Sequence, residues 1–171
     1  MIRPDVVALV LAAAIFSTQV AAAAHPPGAV QQSAAKAVTR ALEQSADAFA
    51  RGDLAAASKV WSNSESLTVF EGGHVNDGWT DYRDNHLGPE MKELRHVSYR
   101  LSRIEPHVVG DTAWATFRYA ISGEDLSSKT FSGTGIGTAV LERQGRTWRI
   151  VHWHTTSTPK PKVAPASPNP G

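Results

Sequence analysis

With 171 residues and a formal net charge of +1, the chain has room for one ordinary domain and lacks the clustered basic surface that nucleic acid demands. It contains no cysteine, which excludes disulfides, thiolate metal sites and cysteine nucleophiles.

Residues 1–24 read as a secretory signal peptide. Arg3 supplies a positive start, residues 6–20 are mostly apolar, and Ala22 and Ala24 frame a small-residue cleavage site. The apolar run is shorter than the ~20 residues a membrane span needs. The mature protein is therefore expected in a bacterial periplasm or secreted, with no membrane attachment once the leader is removed. Residues 25–32, with Pro26, Pro27 and Gly28, read as a flexible lead.

Ser33 is a plausible N-cap for a helix. Ala37, Val38, Ala41, Leu42, Ala46, Ala48 and Phe49 recur at helical spacing behind it, and Gly52 closes the pattern. Asp53 can cap a second, shorter helix over 54–60. Residues 66–71 read as a strand, turned by Gly72 and Gly73. A third helical piece runs from Trp79 to His86, is broken by Gly88-Pro89, and resumes for one turn from Glu90. The period then changes to two. Strands are expected at 96–104, 112–122, 129–143 and 147–156. Pro106 to Asp111 and Gln144-Gly145-Arg146 provide turns between them, giving an antiparallel meander. Gly133, Gly135 and Gly137 share one face of the third of these strands and are expected to let the sheet bend. The Pro-rich residues 158–171 read as a disordered tail.

The last strand sets the expected site. Strict alternation places Trp148, Ile150, His152 and His154 on one face, with Val151 and Trp153 on the other. The first face runs from apolar to imidazole, as a pocket wall would. The second needs cover from another layer or a second copy of the chain. Tyr82 and His86 are four apart on a short helix and share a face, with Trp79 and Glu90 nearby. Trp114 and Arg118 alternate on one face of the central strand, and which side that face meets stays open.

The stretches GDTAWATFRYAIS, GTGIGTAVLERQGRTWRIVHWHTTST, FEGGHVNDGW and YRDNHLGPEM resemble the SnoaL-like branch of the nuclear transport factor 2-like superfamily. The resemblance spans residues 33–157. It implies an α+β cone, with N-terminal helices packed in a strongly curved, mainly antiparallel sheet around a pocket. It also implies homodimers through the outer sheet face, here Val151 and Trp153. The superfamily includes isomerases, dehydratases, epoxide hydrolases, polyketide cyclases and non-catalytic association domains, and fold alone does not choose among them.

The leading expectation is an exported domain that binds a small organic molecule, with or without a hydrolase-, isomerase- or dehydratase-type step. Trp79, Tyr82, His86, Glu90, Trp114, Arg118, His152 and His154 would line the pocket, and His152, His154 and His86 would be its catalytic candidates. The alternatives are a non-catalytic dimerising module and a metal site built from His152, His154 and His86. No cofactor motif is present in the sequence.

Overall fold

The computed structural model describes residues 27–159. The expected leader, the start of the lead and most of the Pro-rich tail lie outside the described residues. Helix α1 (Pro27–Ala50) begins at Pro27 rather than Ser33, so much of the expected flexible lead is helical. Proline is tolerated in a first turn, where its missing N–H has no intrahelical partner to lose. Val38, Ala41, Leu42, Ala46 and Ala48 are buried along one side. Asp53 caps the short α2 (Leu54–Ala57), its carboxylate accepting from the Ala56 N–H at 2.8 Å.

Strand β1 (Thr68–Glu71) turns through Gly72 and Gly73, both at positive φ, into β2 (His74–Asp77). That pairing is a two-residue hairpin, whose central positions favour glycine. The sequence reading has no β2. Helix α3 (Trp79–Tyr82) then runs without a break through a π-helical turn (Arg83–Leu87) into α4 (Gly88–Glu93). The expected break at Gly88-Pro89 is corrected here. Pro89 cannot donate to the preceding turn, and the chain widens to the π spacing, with the Gly88 N–H donating to the Arg83 carbonyl. A Cβ at position 88 would stand 2.6 Å from that oxygen, so only glycine fits.

Four long strands complete the fold: β3 (Leu94–Val109), β4 (Thr112–Asp125), β5 (Thr130–Gln144) and β6 (Thr147–Ser157). The sheet order is β2-β1-β6-β5-β4-β3, antiparallel except where β1 joins β6. Pro106 does not end β3. That strand is the sheet edge, where a residue without an N–H costs no ladder bond. Two register shifts in β3, with His96 and Arg103 at positive φ, bend it.

The inner face of β4 presents Ala113, Ala115 and Phe117 to the core, with Tyr119 partly buried beyond them. The glycines of β5 lie opposite the larger side chains, with Phe117 paired to Gly137 and Tyr119 to Gly135. Side chains at those glycines would overlap the two rings. The glycines therefore make room for aromatic cover on the inner face, which goes beyond the expected bending.

One irregularity decides the orientation of the final strand. Val140 pairs with His152 and Leu141 with Ile150, so Val151 has no partner on β5. The extra residue is a β-bulge, and it reverses the alternation beyond it. Trp148 and Ile150 are buried as expected. After the bulge, Trp153 and Thr155 are buried while His154 is exposed.

Candidate functional site

A cavity of about 190 Å³ lies on the inner side of the sheet, with residues of α1, α2, β1, the α3–α4 segment, β3, β4 and β6 on its walls. Its floor is aromatic. Trp61 is tilted against Tyr82 at 4.8 Å and against Trp153 at 5.6 Å between ring centroids. Phe49 meets Tyr99 edge-on at 5.4 Å, and Tyr99 in turn lies 5.7 Å from Tyr119. Two carboxyl groups, Glu71 and Glu90, line the same space.

Glu71 sits on the inner face at the end of β1, directly beside Thr155 in the parallel register with β6. Thr155 Oγ1 donates to Glu71 Oε1 at 3.1 Å, and the Tyr82 hydroxyl donates to Oε2 at 3.5 Å. Burial, followed by the charge of Glu71, pushes the Tyr82 phenol well above its ordinary range, so it stays a donor. Tyr99 is raised for the same two leading reasons.

Glu90 reaches the cavity from α4. Burial pushes its carboxyl up to about 7, with the charges of Glu71 and Glu93 adding to the effect. A carboxyl in that range exists in both protonation states near neutral pH, as an acid–base group requires.

His86 stands behind the two carboxylates on the π-helical turn. Its Nε2 lies 3.9 Å from Glu71 Oε2 and 4.0 Å from Glu90 Oε2. The orientation of its ring is set by a chain of bonds. Asn76 Nδ2 donates to Asp81 Oδ2 at 2.9 Å, which turns Asn76 Oδ1 towards His86. His86 Nδ1 lies 2.8 Å from that oxygen, an acceptor, and so carries the proton. Nε2 is left facing the two acids. Asp81 is itself held below the usual carboxylate range, first by the Asn85 amide and then by Asn76.

The structure brings Tyr82, His86 and Glu90 together as the sequence suggested. It separates the rest. Trp79 is buried in the core against Trp61 and Tyr82 and does not line the cavity. Trp114 and Arg118 lie on the outer sheet face, where Trp114 stacks on His107 at 4.0 Å. His152 and His154 also point outward, a direct consequence of the bulge at Val151. His152 Nδ1 lies 2.7 Å from Thr68 Oγ1, and the edge of Phe70 meets both imidazoles. Burial and the neighbouring His154 lower the His152 pKa. The expected convergence of these histidines on His86 is thus corrected, and the donor set of the metal reading is split between two faces. Among the described residues, no group of three or more His, Asp or Glu is placed to hold a metal ion. Trp153, expected on a dimer face, is 2% exposed against Trp61 and Phe117, and Val151 is half-buried.

The sequence reading missed Glu71, Asn76, Tyr99, Tyr119 and Thr155. Glu71 had a visible signal: Leu67, Val69 and Glu71 alternate on one face, and an acid on an apolar face needs partners.

A curved sheet closed by N-terminal helices, with a lined cavity between them, defines the cone-shaped α+β class. The chain matches the SnoaL-like domain family over residues 38–159 and belongs to it, within the nuclear transport factor 2-like superfamily. Solved structures agree on the fold. A nuclear transport factor 2-like superfamily protein from Salmonella enterica serovar Typhimurium LT2 superposes with a TM-score of 0.69 at 20% identity, over 81% of this chain and 97% of that one. A scytalone dehydratase candidate from Novosphingobium aromaticivorans gives 0.70 at 12% identity, over 77% and 88%. The association domain of C. elegans CaMKII gives 0.61 at 18%, over 75% and 98%. No curated protein matches the chain in sequence.

Proposed function

We propose that this chain is an exported small-molecule-binding protein whose inner cavity performs acid–base chemistry on its ligand, a proton transfer of the isomerase or dehydratase kind. The observation that carries the reading is Glu90. Its carboxyl is poised near neutrality on the wall of an aromatic cavity, with a second carboxylate and an oriented imidazole within reach of one another. Protonated Glu90 would act as general acid and its conjugate as general base. His86 Nε2 would exchange the proton behind it, while Glu71, fixed by Thr155 and Tyr82, would hold the substrate. A dehydratase candidate and a ketosteroid isomerase candidate occur among the structural neighbours, which supports the reaction class at the level of fold.

The test is carbon-bound hydrogen exchange, followed by proton NMR in D2O across a panel of small carbonyl compounds. Exchange catalysed by the wild type should fall by about 10²-fold or more in Glu90→Gln, the range typical of a lost acid–base group. It should persist in the double variant His152→Ala with His154→Ala. Exchange lost in the double variant but kept in Glu90→Gln would place the chemistry on the other face.

Export rests on residues 1–24, and N-terminal sequencing of secreted material starting near His25 would support it. A homodimer through the outer face would use Phe70, Trp114 and Ile136, which are 38%, 44% and 49% exposed. Trp114→Glu should then yield a monomer in light scattering, and a wild type already monomeric at micromolar concentration would end that reading.

A further inference from the structure

The charge inside the cavity has one sign. Among the described residues, those lining it include Glu71 and Glu90 but no Lys, Arg or His. The nearest imidazole, His86, stands behind the carboxylates. Around these two acids are the rings of Phe49, Trp61, Tyr82, Tyr99, Tyr119 and Trp153. Aromatic faces carry partial negative charge and attract cations, most strongly in a desolvated site.

We propose that the ligand of this cavity is a small organic cation: an ammonium group on a compact hydrocarbon or aromatic body, with the nitrogen between Glu71 and Glu90 and the body against the rings. The proposal rests on the reading that the inner cavity is the ligand site. It goes further in assigning the charge and size of what binds.

Three observations support it. Thr155 and Tyr82 already donate to the two oxygens of Glu71, one each. Each oxygen retains acceptor capacity, and an ammonium supplies N–H donors to use it. An anionic ligand would have to sit beside two acids, with no basic group among the described lining residues to offset the repulsion. The volume of about 190 Å³ also lies below the ~300–1,000 Å³ of pockets for drug-sized ligands, so the body is on the order of ten non-hydrogen atoms.

The assignment carries a proton linkage. The Glu90 carboxyl is raised to about 7, and a bound cation would favour its ionised form. The groups facing it are Glu71 from β1, His86 from the π-helical turn, Glu93 on its own helix, and Tyr82 and Tyr99 from α3 and β3. Ammonium binding should therefore tighten by about tenfold between pH 6 and pH 8, the full swing for a single group titrating midway.

The experiment is calorimetric titration of the full mature chain with three frameworks: isobutyl, cyclohexylmethyl and phenethyl. Each is supplied as its amine, alcohol and carboxylate, at pH 6 and pH 8. For at least one framework the amine should bind at least tenfold tighter than the alcohol, with no heat from the carboxylate and with the stated pH dependence. Glu71→Gln, checked for folding by circular dichroism, should lose at least tenfold in amine affinity and keep the alcohol's. If that variant does not fold, Glu90→Gln should weaken the amine and abolish its pH dependence. Alcohol or carboxylate binding as tight as the amine would overturn the cation assignment and leave the cavity as a ligand site. Failure of all nine compounds to bind would overturn the cavity reading and this assignment with it.

Discussion

Trp153→Ala and His154→Ala, made separately, discriminate between an uninterrupted last strand and the bulged one. Trp153 is 2% exposed, with its ring 4.6 Å from Phe117 and 5.6 Å from Trp61 between centroids. Truncating a buried tryptophan typically costs about 3–5 kcal/mol, from lost transfer free energy plus the cavity left behind. In a chain of this size each kcal/mol moves Tm by roughly 3 °C, so a fall of about 10–15 °C is expected. His154 is exposed on the outer face, and its truncation should stay within about 0.5 kcal/mol. Deleting Val151 should cost less than Trp153→Ala, because Val140 and Leu141 already pair with His152 and Ile150, so removing the extra residue leaves a regular ladder with Trp153 still facing inward. Differential scanning calorimetry of the three variants reads all of this. A harmless Trp153→Ala beside a damaging His154→Ala would refute the bulge and restore the histidines to the interior.

Gly88→Ala should lower Tm by several degrees and weaken ligand binding, because the new Cβ would stand 2.6 Å from the Arg83 carbonyl and disturb the turn that carries His86. An ordinary α-helix there would instead gain up to about 1 kcal/mol from the alanine, so a raised Tm would refute the π-helical turn. Glu90 makes stability depend on pH. Its folded-state pKa is raised from 4.5 to about 7, so its contribution is fully present below about 4.5 and is lost as pH rises through about 7. The unscreened linkage is about 3 kcal/mol, but the side chain is 39% exposed, and screening reduces the expectation to about 1 kcal/mol. Urea denaturation should show this loss in the wild type and not in Glu90→Gln, and parallel pH profiles would refute the assignment.

Much of the fold was legible because its signals are local. Helical spacing in α1 and period-two runs in the last four strands come from side chains meeting one continuous core. The Gly72-Gly73 hairpin was legible as a turn, but its second strand was too short and polar to stand out. The parallel pairing of β1 with β6 joins Thr68 to His152 across most of the domain, and no local pattern encodes such a partner. On the site, Tyr82, His86 and Glu90 could be read from spacing on one helical segment, even though the widened turn was not foreseen. Glu71 could have been read from its alternation with Val69.

The bulge could not be read at all. Residues 147–157 have the composition of an unbroken strand, and the extra residue is settled by neighbours on both sides. Ile150 exchanges backbone bonds with the segment after α2, through Val60 and Ser62, while Val140 and Leu141 leave Val151 unpaired on the β5 side. That single residue also determines the chemistry of the cavity. In an unbroken strand the inward side chains near Glu71 would be His152 and His154. Two imidazoles there would offer the carboxylates internal counter-ions when protonated. With the bulge, the inward side chains are Trp153, which forms part of the aromatic floor, and Thr155, which gives Glu71 a neutral donor. The acids of the cavity gain no counter-ion from β6 because its histidines are turned out of it, and an incoming ammonium would supply one.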